Sequence, residues 1–310
     1  MPNALAPCHV AIAVRPSVRD GLREVAPELS DVVFSVAKLL QSLGYTPVIE
    51  AQSASEVDNP PWPHLTIAEI GVNCGLVIAL GGDGTFISMA RQLARYDVPL
   101  VGVNQGRLGF LTDLSMANLH VTLPQILAGA YREERRVLLS TTSSVTDDQE
   151  FLAVNDVVVN RGAATSLVDL EISLNDRFAY GFRSDGAIVA TPTGSTAYAL
   201  SAGGPIMAPF VNAFTIVPIA PHALTNRPIV VADDSEIRIT VARARDALAS
   251  IDGHHNIELS EGDSVVIKRA SATMRLWHPL DYDYYHTLRG KLGWTETPEG
   301  LTPRKAAQTS

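Results

Sequence analysis

The chain has 310 residues, of which 46% are hydrophobic and 18% charged, and its formal net charge at pH 7 is -9. This composition is typical of a globular protein, and the length favours two domains. The acidic net charge argues against general nucleic-acid binding, which requires basic patches. The opening MPNALAPCHVAIAVRP has neither a basic start nor a long apolar run. We therefore expect no signal peptide and no contact with a membrane, and we expect a cytoplasmic protein.

The sequence offers no obvious metal or disulfide framework. Cys8 and Cys74 are the only cysteines and form no C-x-x-C pair, so we interpret both as packing residues. Among the eight histidines, His254 and His255 are adjacent. On a strand their side chains would point in opposite directions, so no histidine metal site is predicted.

The first 115 residues alternate short aliphatic runs with helix-period segments, which predicts a parallel sheet covered by helices. Candidate strands are HVAIAV, TPVIE, GLVIAL and PLVGVN. The segment SDVVFSVAKLLQSLG predicts a helix with Ser30 as N-cap and Gly44 as C-cap. A second helix is predicted to begin near Phe86.

Residues 116–278 are predicted to form an all-β, sandwich-like domain. After a short helix over residues 124–131, β-type runs follow one another: FLAVNDVVV, SLVDLEISL, RFAYGF, GAIVAT, FTIVPIA, EIRITV and SVVIKR. Asn175 and Asp176 are predicted to form a hairpin turn. Residues 279–310 are predicted to form a last helix, DYDYYHTLRGKLGW, that packs back on the first domain and ends in a frayed tail.

The stretch VIALGGDGTF passes from an aliphatic strand through a Gly-rich turn into a helix. Neither G-x-G-x-x-G nor G-x-x-x-x-G-K-[ST] occurs in the chain. A turn of this kind favours an anion such as phosphate, although its glycines could serve backbone geometry alone. Asp83 would repel a phosphate, so it would take a proton from an attacking hydroxyl or hold a metal ion. The alternative is that Asp83 is the N-cap of the helix.

Two further stretches carry polar side chains between aliphatic runs. RSDGAIVATPTGSTAYALSAGGPI is rich in hydroxyl groups, which suit sugar hydroxyls and a nucleobase better than catalysis. Its alternative reading is an ordinary strand-turn-helix junction. AVNDVVV places Asn155 and Asp156 inside an aliphatic run. They indicate a β-bulge or strand end, or a pair that contacts the edges of adenine or ribose.

The order and spacing of these blocks resemble the bacterial NAD kinases. The similar blocks are GGDGTF, GVNQGRLGFLTDL, AVNDVVV, RSDGAIVATPTGSTAYALSAGGPI, PIAPHALTNRPIV and HPLDYDYYHTLRGKLGW. G-G-D-G also occurs in diacylglycerol and sphingosine kinases and in phosphofructokinases, whereas T-P-T-G-S-T-A-Y singles out the NAD kinases. The resemblance implies an active site in a cleft between the two domains and a homodimer or homotetramer. It also implies transfer of the γ-phosphate of ATP, with Mg²⁺, to the 2′-hydroxyl of the adenosine ribose of NAD, which makes NADP.

The resemblance also implies a role for each matching residue. Asp83 would be the general base, and Gly81, Gly82, Gly84 and Thr85 would contact the phosphates of ATP. The residues implied to bind NAD are Asp83, Gly84, Phe110, Asn155, Asp156, Arg183, Asp185, Thr196, Ala197, Tyr198, Ser201 and His254. The family often has Gln in place of His254, and Arg183 and Asp185 would reach the site of a neighbouring subunit. Two rival functions are a non-catalytic NAD or NADP sensor and a lipid kinase with the same G-G-D-G loop.

Overall fold

The computed structural model describes residues 9–15, 17–19, 22–24, 28–104, 109–147, 149–164, 166–244 and 246–294. Cys8, the frayed tail and part of the GVNQGRLGF block lie outside these residues. The chain divides into two compact units. The first contains the described residues up to Met89, then Val98–Glu134 and the described residues from Leu276 onward; the second contains Ala90–Asp97 and Arg135–Arg275. No helix among the described residues is long and apolar enough to cross a membrane.

The elements of the first half of the chain are β1 (His9–Val14), β2 (Ser17–Arg19), β3 (Leu22–Glu24), α1 (Glu28–Ser42), β4 (Thr46–Glu50), α2 (Ala51–Ala54), β5 (His64–Leu65), α3 (Ile67–Asn73), β6 (Leu76–Leu80), α4 (Asp83–Leu93), β7 (Pro99–Asn104), β8 (Leu114–Ser115), α5 (Leu119–Leu127) and β9 (Tyr131–Ser143). Those of the second half are β10 (Phe151–Ala153), β11 (Asp156–Asn160), β12 (Val168–Leu174), β13 (Arg177–Ser184), β14 (Gly186–Ala190), α6 (Tyr198–Ser201), β15 (Ala213–Ile219), β16 (Ile229–Ala232), β17 (Ile237–Arg243), β18 (Ala247–Ile251), β19 (His255–Leu259), β20 (Ser264–Pro279) and α7 (Tyr284–Leu292). Short 3₁₀ helices span Ala94–Tyr96 and Gly194–Thr196.

The first unit is built on a parallel sheet. Its strand order is β5-β4-β1-β6-β7, and β8 pairs with the outer side of β7. Strands β6 and β7 are buried along their whole length, as expected for parallel strands with helices on both faces. The apolar faces of α1 and α5 close one core with these strands. The predicted α/β architecture is thus confirmed.

Three details of the helix predictions were wrong. Helix α1 begins at Glu28, so Ser30 lies inside it, and the Ser30 hydroxyl accepts the N–H of Asp58 at 3.1 Å. Helix α4 begins at Asp83 and not near Phe86, because the Gly82 carbonyl already accepts the N–H of Thr85 at 3.1 Å and that of Phe86 at 3.2 Å. The helix predicted over residues 124–131 is α5, which begins earlier and contains its proline.

The second unit contains two antiparallel sheet regions that share one core. One has the order β13-β12-β17-β20, and the other β16-β15-β14-β11-β18-β19. Inward-facing aliphatic side chains of β11, β12, β14 and β17 form the shared cluster. The predicted all-β, sandwich-like domain is confirmed as a mostly-β one, which also contains the short helix α6. The hairpin turn at Asn175 and Asp176 is confirmed as well, and its φ angles of 50° and 60° are those of a type I′ turn.

The end of β20 is held in the first unit by a buried histidine. His278 is 1% exposed, its Nδ1 contacts a carboxylate oxygen of Asp113, and its Nε2 lies 3.0 Å from Glu134 Oε2. Its ring stacks on Tyr282 with 4.0 Å between centroids. Burial lowers the pKa of His278, but the two carboxylates outweigh it, so the net direction is upward. The chain then continues into α7, the predicted last helix, whose N-cap is Asp283.

Candidate active site

The turn between β6 and α4 combines one glycine that the fold requires with two that it does not. Gly81 has a φ of +152°, and a Cβ there would lie 2.5 Å from Thr85 Oγ1. Its N–H donates to the carbonyl of Val103 at 2.9 Å. Gly82 and Gly84 are exposed, and a Cβ on either would meet no heavy atom of the described chain within 4 Å. Their lack of a side chain therefore keeps an open surface over the helix N-terminus.

Asp83 is oriented by the backbone of a different loop. Its Oδ2 accepts the N–H of Phe110 at 2.9 Å, and its Oδ1 accepts that of Leu111 at 3.1 Å. Asp83 is the first residue of α4, so the alternative reading as its N-cap is wrong. The carboxylate is half-buried. Each of its oxygens accepts one N–H and keeps a lone pair for a further donor, such as a hydroxyl group.

Gly109 makes this orientation possible, and the sequence reasoning missed it. A Cβ at Gly109 would lie 2.0 Å from Asp83 Oδ1 and 2.4 Å from Thr112 Oγ1. The buried Thr112 hydroxyl accepts the N–H of Gly109 and the side-chain amide of Asn104, each at 3.2 Å. The loop is therefore packed directly against the carboxylate. The glycine that precedes Phe110 in the GRLGF stretch was the signal that sequence reasoning could have used.

Phe110 follows this glycine and is half-buried. The Lys291 ammonium of α7 lies 5.8 Å from the centroid of the Phe110 ring, within the range of a cation–π contact. Phe110 therefore contributes its backbone N–H to Asp83, while its ring contacts Lys291. Its predicted contact with a base stays a prediction.

In the second unit, Asn155 and Asp156 lie where β10 has ended and β11 begins, so the strand-end interpretation is correct. The T-P-T-G segment fixes this break. Thr191 donates its hydroxyl to the Val154 carbonyl at 2.6 Å and its N–H to the Asn155 carbonyl at 2.9 Å. A Cβ at Gly194 would lie 2.1 Å from the Asn155 carbonyl oxygen. These two blocks of sequence are therefore parts of one structure.

Asp252, in the turn between β18 and β19, holds the same break from the other side. Its Oδ1 accepts the N–H groups of Asn155 at 2.8 Å and Asp156 at 3.3 Å. Its Oδ2 accepts the N–H of Val154 at 2.9 Å and the guanidinium of Arg91 at 3.2 Å. The Asp252 side chain is 1% exposed. The sequence reasoning named neither Asp252 nor Arg91.

Asp156 differs from its neighbour Asp252 in lacking such support. It is 6% exposed. Burial is the main cause that raises the pKa of its carboxyl, and the charge of Asp252 adds to it, so that the pKa is about 7. A carboxyl group with this pKa gains or loses a proton near neutral pH.

These side chains line one pocket of about 370 Å³. Of the predicted NAD-binding residues it brings together Asn155, Asp156, Ala197 and Tyr198, and it adds Val158, Asn160, Ser250, Asp252 and Gly253. Within the described residues, Thr196 and Ser201 lie outside this lining. Thr196 donates its hydroxyl to the Thr193 carbonyl at 3.2 Å, and Ser201 is exposed. The lining is polar and concave, which suits a nucleoside.

His254 lies in the turn after Asp252 and is exposed. Its ring contacts that of His255 edge to face, with 5.0 Å between centroids, so the expected divergence of the two side chains on a strand is wrong. Partial burial, together with Arg91 and His255, lowers the pKa of His254. Among the described residues, no three His, Cys, Asp or Glu side chains are grouped so that they could hold a metal ion.

Arg183 and Asp185 are placed elsewhere in the second unit. Arg183 donates two hydrogen bonds to Asp169, at 2.6 and 2.8 Å. Asp185 accepts one from Arg161 at 2.7 Å. Arg183 lines a separate pocket of about 390 Å³ that also contains Ser166 and Arg243. In their own chain these two predicted NAD contacts thus lie outside the pocket of Asn155.

Comparison with known proteins assigns both halves of the chain. The model of the ATP-NAD kinase N-terminal domain matches residues 10–131, and that of the ATP-NAD kinase C-terminal domain matches residues 154–278. An NAD kinase of Methylibium petroleiphilum is 46% identical over 283 residues, which cover 89% of this chain and 94% of the relative. An NAD kinase of Nitrosomonas europaea is 45% identical over 271 residues, covering 87% and 92%.

Two solved structures have the same fold as this chain. A yeast NADH kinase in complex with NADH has a TM-score of 0.81 at 23% identity, covering 97% of this chain and 91% of its own, and shows the same fold. An NAD kinase from Archaeoglobus fulgidus in complex with ATP has a TM-score of 0.71 at 25% identity, covering 92% and 98%. The chain therefore belongs to the ATP-NAD kinase family and phosphorylates the 2′-hydroxyl of the adenosine ribose of NAD at the expense of ATP, making NADP.

Proposed function

We propose separate roles in this reaction for two groups of residues, one in each unit. Asp83 is the general base, and the polypeptide around Asn155 and Asp156 holds the adenosine of NAD. The observation that supports the first role is the carboxylate itself, which two backbone N–H groups fix in place while its residue stays half-exposed. The second role is supported by the pocket that gathers Asn155, Asp156, Ala197 and Tyr198.

The chemical step follows from these roles. Asp83 accepts the proton of the ribose 2′-hydroxyl as that oxygen forms a bond to the γ-phosphorus of ATP. The bond between this phosphorus and the β,γ-bridging oxygen breaks, and ADP leaves with the electron pair. Gly82 and Gly84 leave room for the phosphates beside the N-terminus of α4, whose free N–H groups favour anions. The remaining NAD contacts, from Phe110, Thr196, Ser201 and His254, and the ATP contacts of Gly81 and Thr85, are part of the same proposal.

Magnesium fits this arrangement as an ion carried by ATP. Mg²⁺ typically uses one or two carboxylates, substrate phosphates and water, and the described residues contain no group of three metal-binding side chains. Asp83 is the carboxylate at this turn that could reach such an ion. A bound Mg²⁺ would neutralise the charge that develops on the β- and γ-phosphates.

The rival functions lack comparable support. A sensor would not need an oriented carboxylate beside the Gly-rich turn, and a lipid kinase would need an apolar pocket in place of one lined by asparagine, aspartate, serine and tyrosine. The relatives described above were solved with NADH and with ATP.

Assembly and location belong to the same proposal. Arg183 and Asp185 lie outside the pocket of their own chain, which supports a homodimer or homotetramer in which they reach a neighbouring copy. Sedimentation velocity with and without NAD tests this. We also propose that the enzyme is cytoplasmic. We further propose domain limits at residues 115 and 278, and limited proteolysis tests both limits.

The decisive experiment is a turnover assay with NAD, ATP and Mg²⁺, in which NADP is measured with an NADP-specific dehydrogenase. The matched controls are Asp83→Asn and Asn155→Ala. We expect NADP from the unchanged protein, almost none from Asp83→Asn with NAD still bound, and weakened NAD binding in Asn155→Ala. Full turnover by Asp83→Asn would contradict the assignment of the base.

A further inference from the structure

Three consecutive backbone N–H groups where β10 ends and β11 begins are bound by one side chain. The N–H groups of Val154, Asn155 and Asp156 all point at one carboxylate, that of Asp252, over 2.8–3.3 Å. In return, the N–H of Asp252 donates to the Asp156 carbonyl at 3.0 Å. Because the backbone groups are used in this way, the side chains of Asn155 and Asp156 stay available to line the pocket.

The sheet register and the turn bring Asp252 to this place. Strands β11 and β18 pair with Val157 opposite Ile251, so the residue after Ile251 lies beside the start of β11. Asp252 has a φ of 50°, which lies in the left-handed backbone region. Among residues with a side chain, Asn and Asp adopt this region more often than most others. An aspartate thus both fits the turn and supplies the carboxylate.

A buried charge needs a partner, and Arg91 supplies it. The Arg91 side chain is 10% exposed and lies 3.2 Å from Asp252 Oδ2. Removing one member of a buried pair leaves the other charge uncompensated, which is costly. Arg91 belongs to α4, the helix that begins with Asp83. Both members of the pair belong to the second unit, so Arg91 supports Asp252 from within that unit.

We infer that Asp252, paired with Arg91, is the positioning residue that presents Asn155 and Asp156 to the adenosine of NAD. This inference rests on the proposed function of that pocket. Asp252 acts through the backbone of its neighbours, and its charge also acts on the carboxyl of Asp156.

The effect of Asp252 on the pKa of Asp156 can be measured, and a purely structural role of Asp252 would not change that pKa. The charge of Asp252 acts on the Asp156 carboxyl directly, and Tyr198 lines the same pocket. Arg91 and His254 lie next to Asp252. The negative charge of Asp252 raises the pKa of Asp156. Removing that charge should lower the pKa of Asp156, whereas removing Arg91 leaves Asp252 uncompensated and should raise it.

The experiment measures the dissociation constant of NAD from the full-length protein between pH 5.5 and 9. In the unchanged protein we expect an inflection near pH 7. In Asp252→Asn the inflection should move down by about one pH unit, and in Arg91→Met it should move up by about the same amount. Affinity should fall about tenfold or more in both, because the pocket side chains are misplaced. Arg91→Lys should restore most of the affinity and leave the inflection near its original pH.

Arg95 offers the matched control. It pairs with Glu150 at 2.8 Å, but both side chains are largely exposed, at 57% and 41%. Arg95→Met should change neither the affinity for NAD nor the inflection. Shifts of both Arg91→Met and Asp252→Asn in the same direction, or no shift in either, would overturn the inference.

Two outcomes separate this inference from the proposed function. If Asn155→Ala keeps full affinity for NAD, the pocket itself is misassigned. If Asn155→Ala loses affinity but the Arg91 and Asp252 variants keep the original inflection, only the inference fails. Thermal melting checks that each variant folds. Should Asp252→Asn not fold, the comparison of Arg91→Met with Arg91→Lys decides: an upward shift that lysine reverses supports the inference, and its absence overturns it.

Discussion

The fold places three aspartates in different chemical environments. One of them lies in the first unit and two lie in the second. Asp83 is oriented by two backbone N–H groups and is half-exposed. Asp252 accepts three backbone N–H groups and a guanidinium, and its side chain is fully buried. Asp156 is buried without comparable donors, and its pKa is about 7.

The difference shows how a carboxylate obtains its role from its donors and its access to solvent. An oriented and accessible carboxylate can take a proton from a substrate. One that is saturated with donors and buried is a structural anion that arranges its neighbours. A buried one with few donors exchanges a proton near neutral pH. Each role can be tested by replacing the aspartate with asparagine or by changing what packs against it.

The largest effect is expected from Asp83→Asn. Loss of a positioned base should lower kcat by a factor of about 10²–10⁴, because asparagine cannot accept the proton of the ribose hydroxyl. NAD affinity should change little, since the variant keeps the shape of the side chain. Steady-state kinetics and calorimetric titration with NAD measure the two quantities. Equal losses of binding and turnover would show that Asp83 contributes binding and not proton transfer.

The second effect concerns stability and pH. Folded Asp156 keeps its proton to about pH 7, whereas the unfolded chain releases it near the ordinary value of 3.8. Between these values the folded state binds more protons, so this group makes the protein less stable as the pH rises from about 4 to 7. Asp156→Asn, which cannot ionise, should therefore be more stable above pH 7 by about 4 kcal/mol. Below pH 4 the difference should vanish.

Urea denaturation of both proteins at pH 5 and pH 8 measures this difference. The same variant should bind NAD more weakly at pH 8, since the ionised carboxylate is lost from the pocket. A gain in stability that is equal at both pH values would mean that packing, and not ionisation, separates the two proteins.

A smaller effect is expected from Gly109→Ala. The new Cβ would lie 2.0 Å from Asp83 Oδ1, so the carboxylate or its loop must move. A displacement of about 1 Å at a reacting group can lower turnover about a hundredfold. We expect kcat to fall by roughly that factor while the protein still folds. Unchanged kcat would show that the loop can yield without moving Asp83.

Much of this arrangement could be predicted from local patterns. The fully aliphatic runs predicted β6 and β7. The polar residues Asn155 and Asp156 predicted the end of a strand, and Asn175 with Asp176 predicted a hairpin turn. The strand pair β18 and β19 was missed, although Asp252 and Gly253 form the Asp-Gly turn that is a strong hairpin signal.

Other features could not be read from local patterns, because they depend on contacts between distant parts of the chain. Arg91 and Asp252 are 161 residues apart, and no periodicity connects them. The need for glycine at position 109 appears only when Asp83, 26 positions earlier in the sequence, is packed against it. The orientation of Asp83 likewise comes from the loop after β7 and not from its own helix.

The smallest effect on the fold should come from Gly84→Ala, which completes the contrast with Gly109. Gly84 lies in the first turn of α4, and a Cβ there would meet no heavy atom of the described residues within 4 Å. Alanine is the better helix former, so the free protein should be more stable by up to about 1 kcal/mol. If this glycine leaves room for substrate, the variant should nevertheless show a higher KM for NAD or ATP. Increased stability with unchanged KM would mean that no substrate approaches Gly84 closely, and that neither the fold nor the substrate requires a glycine there.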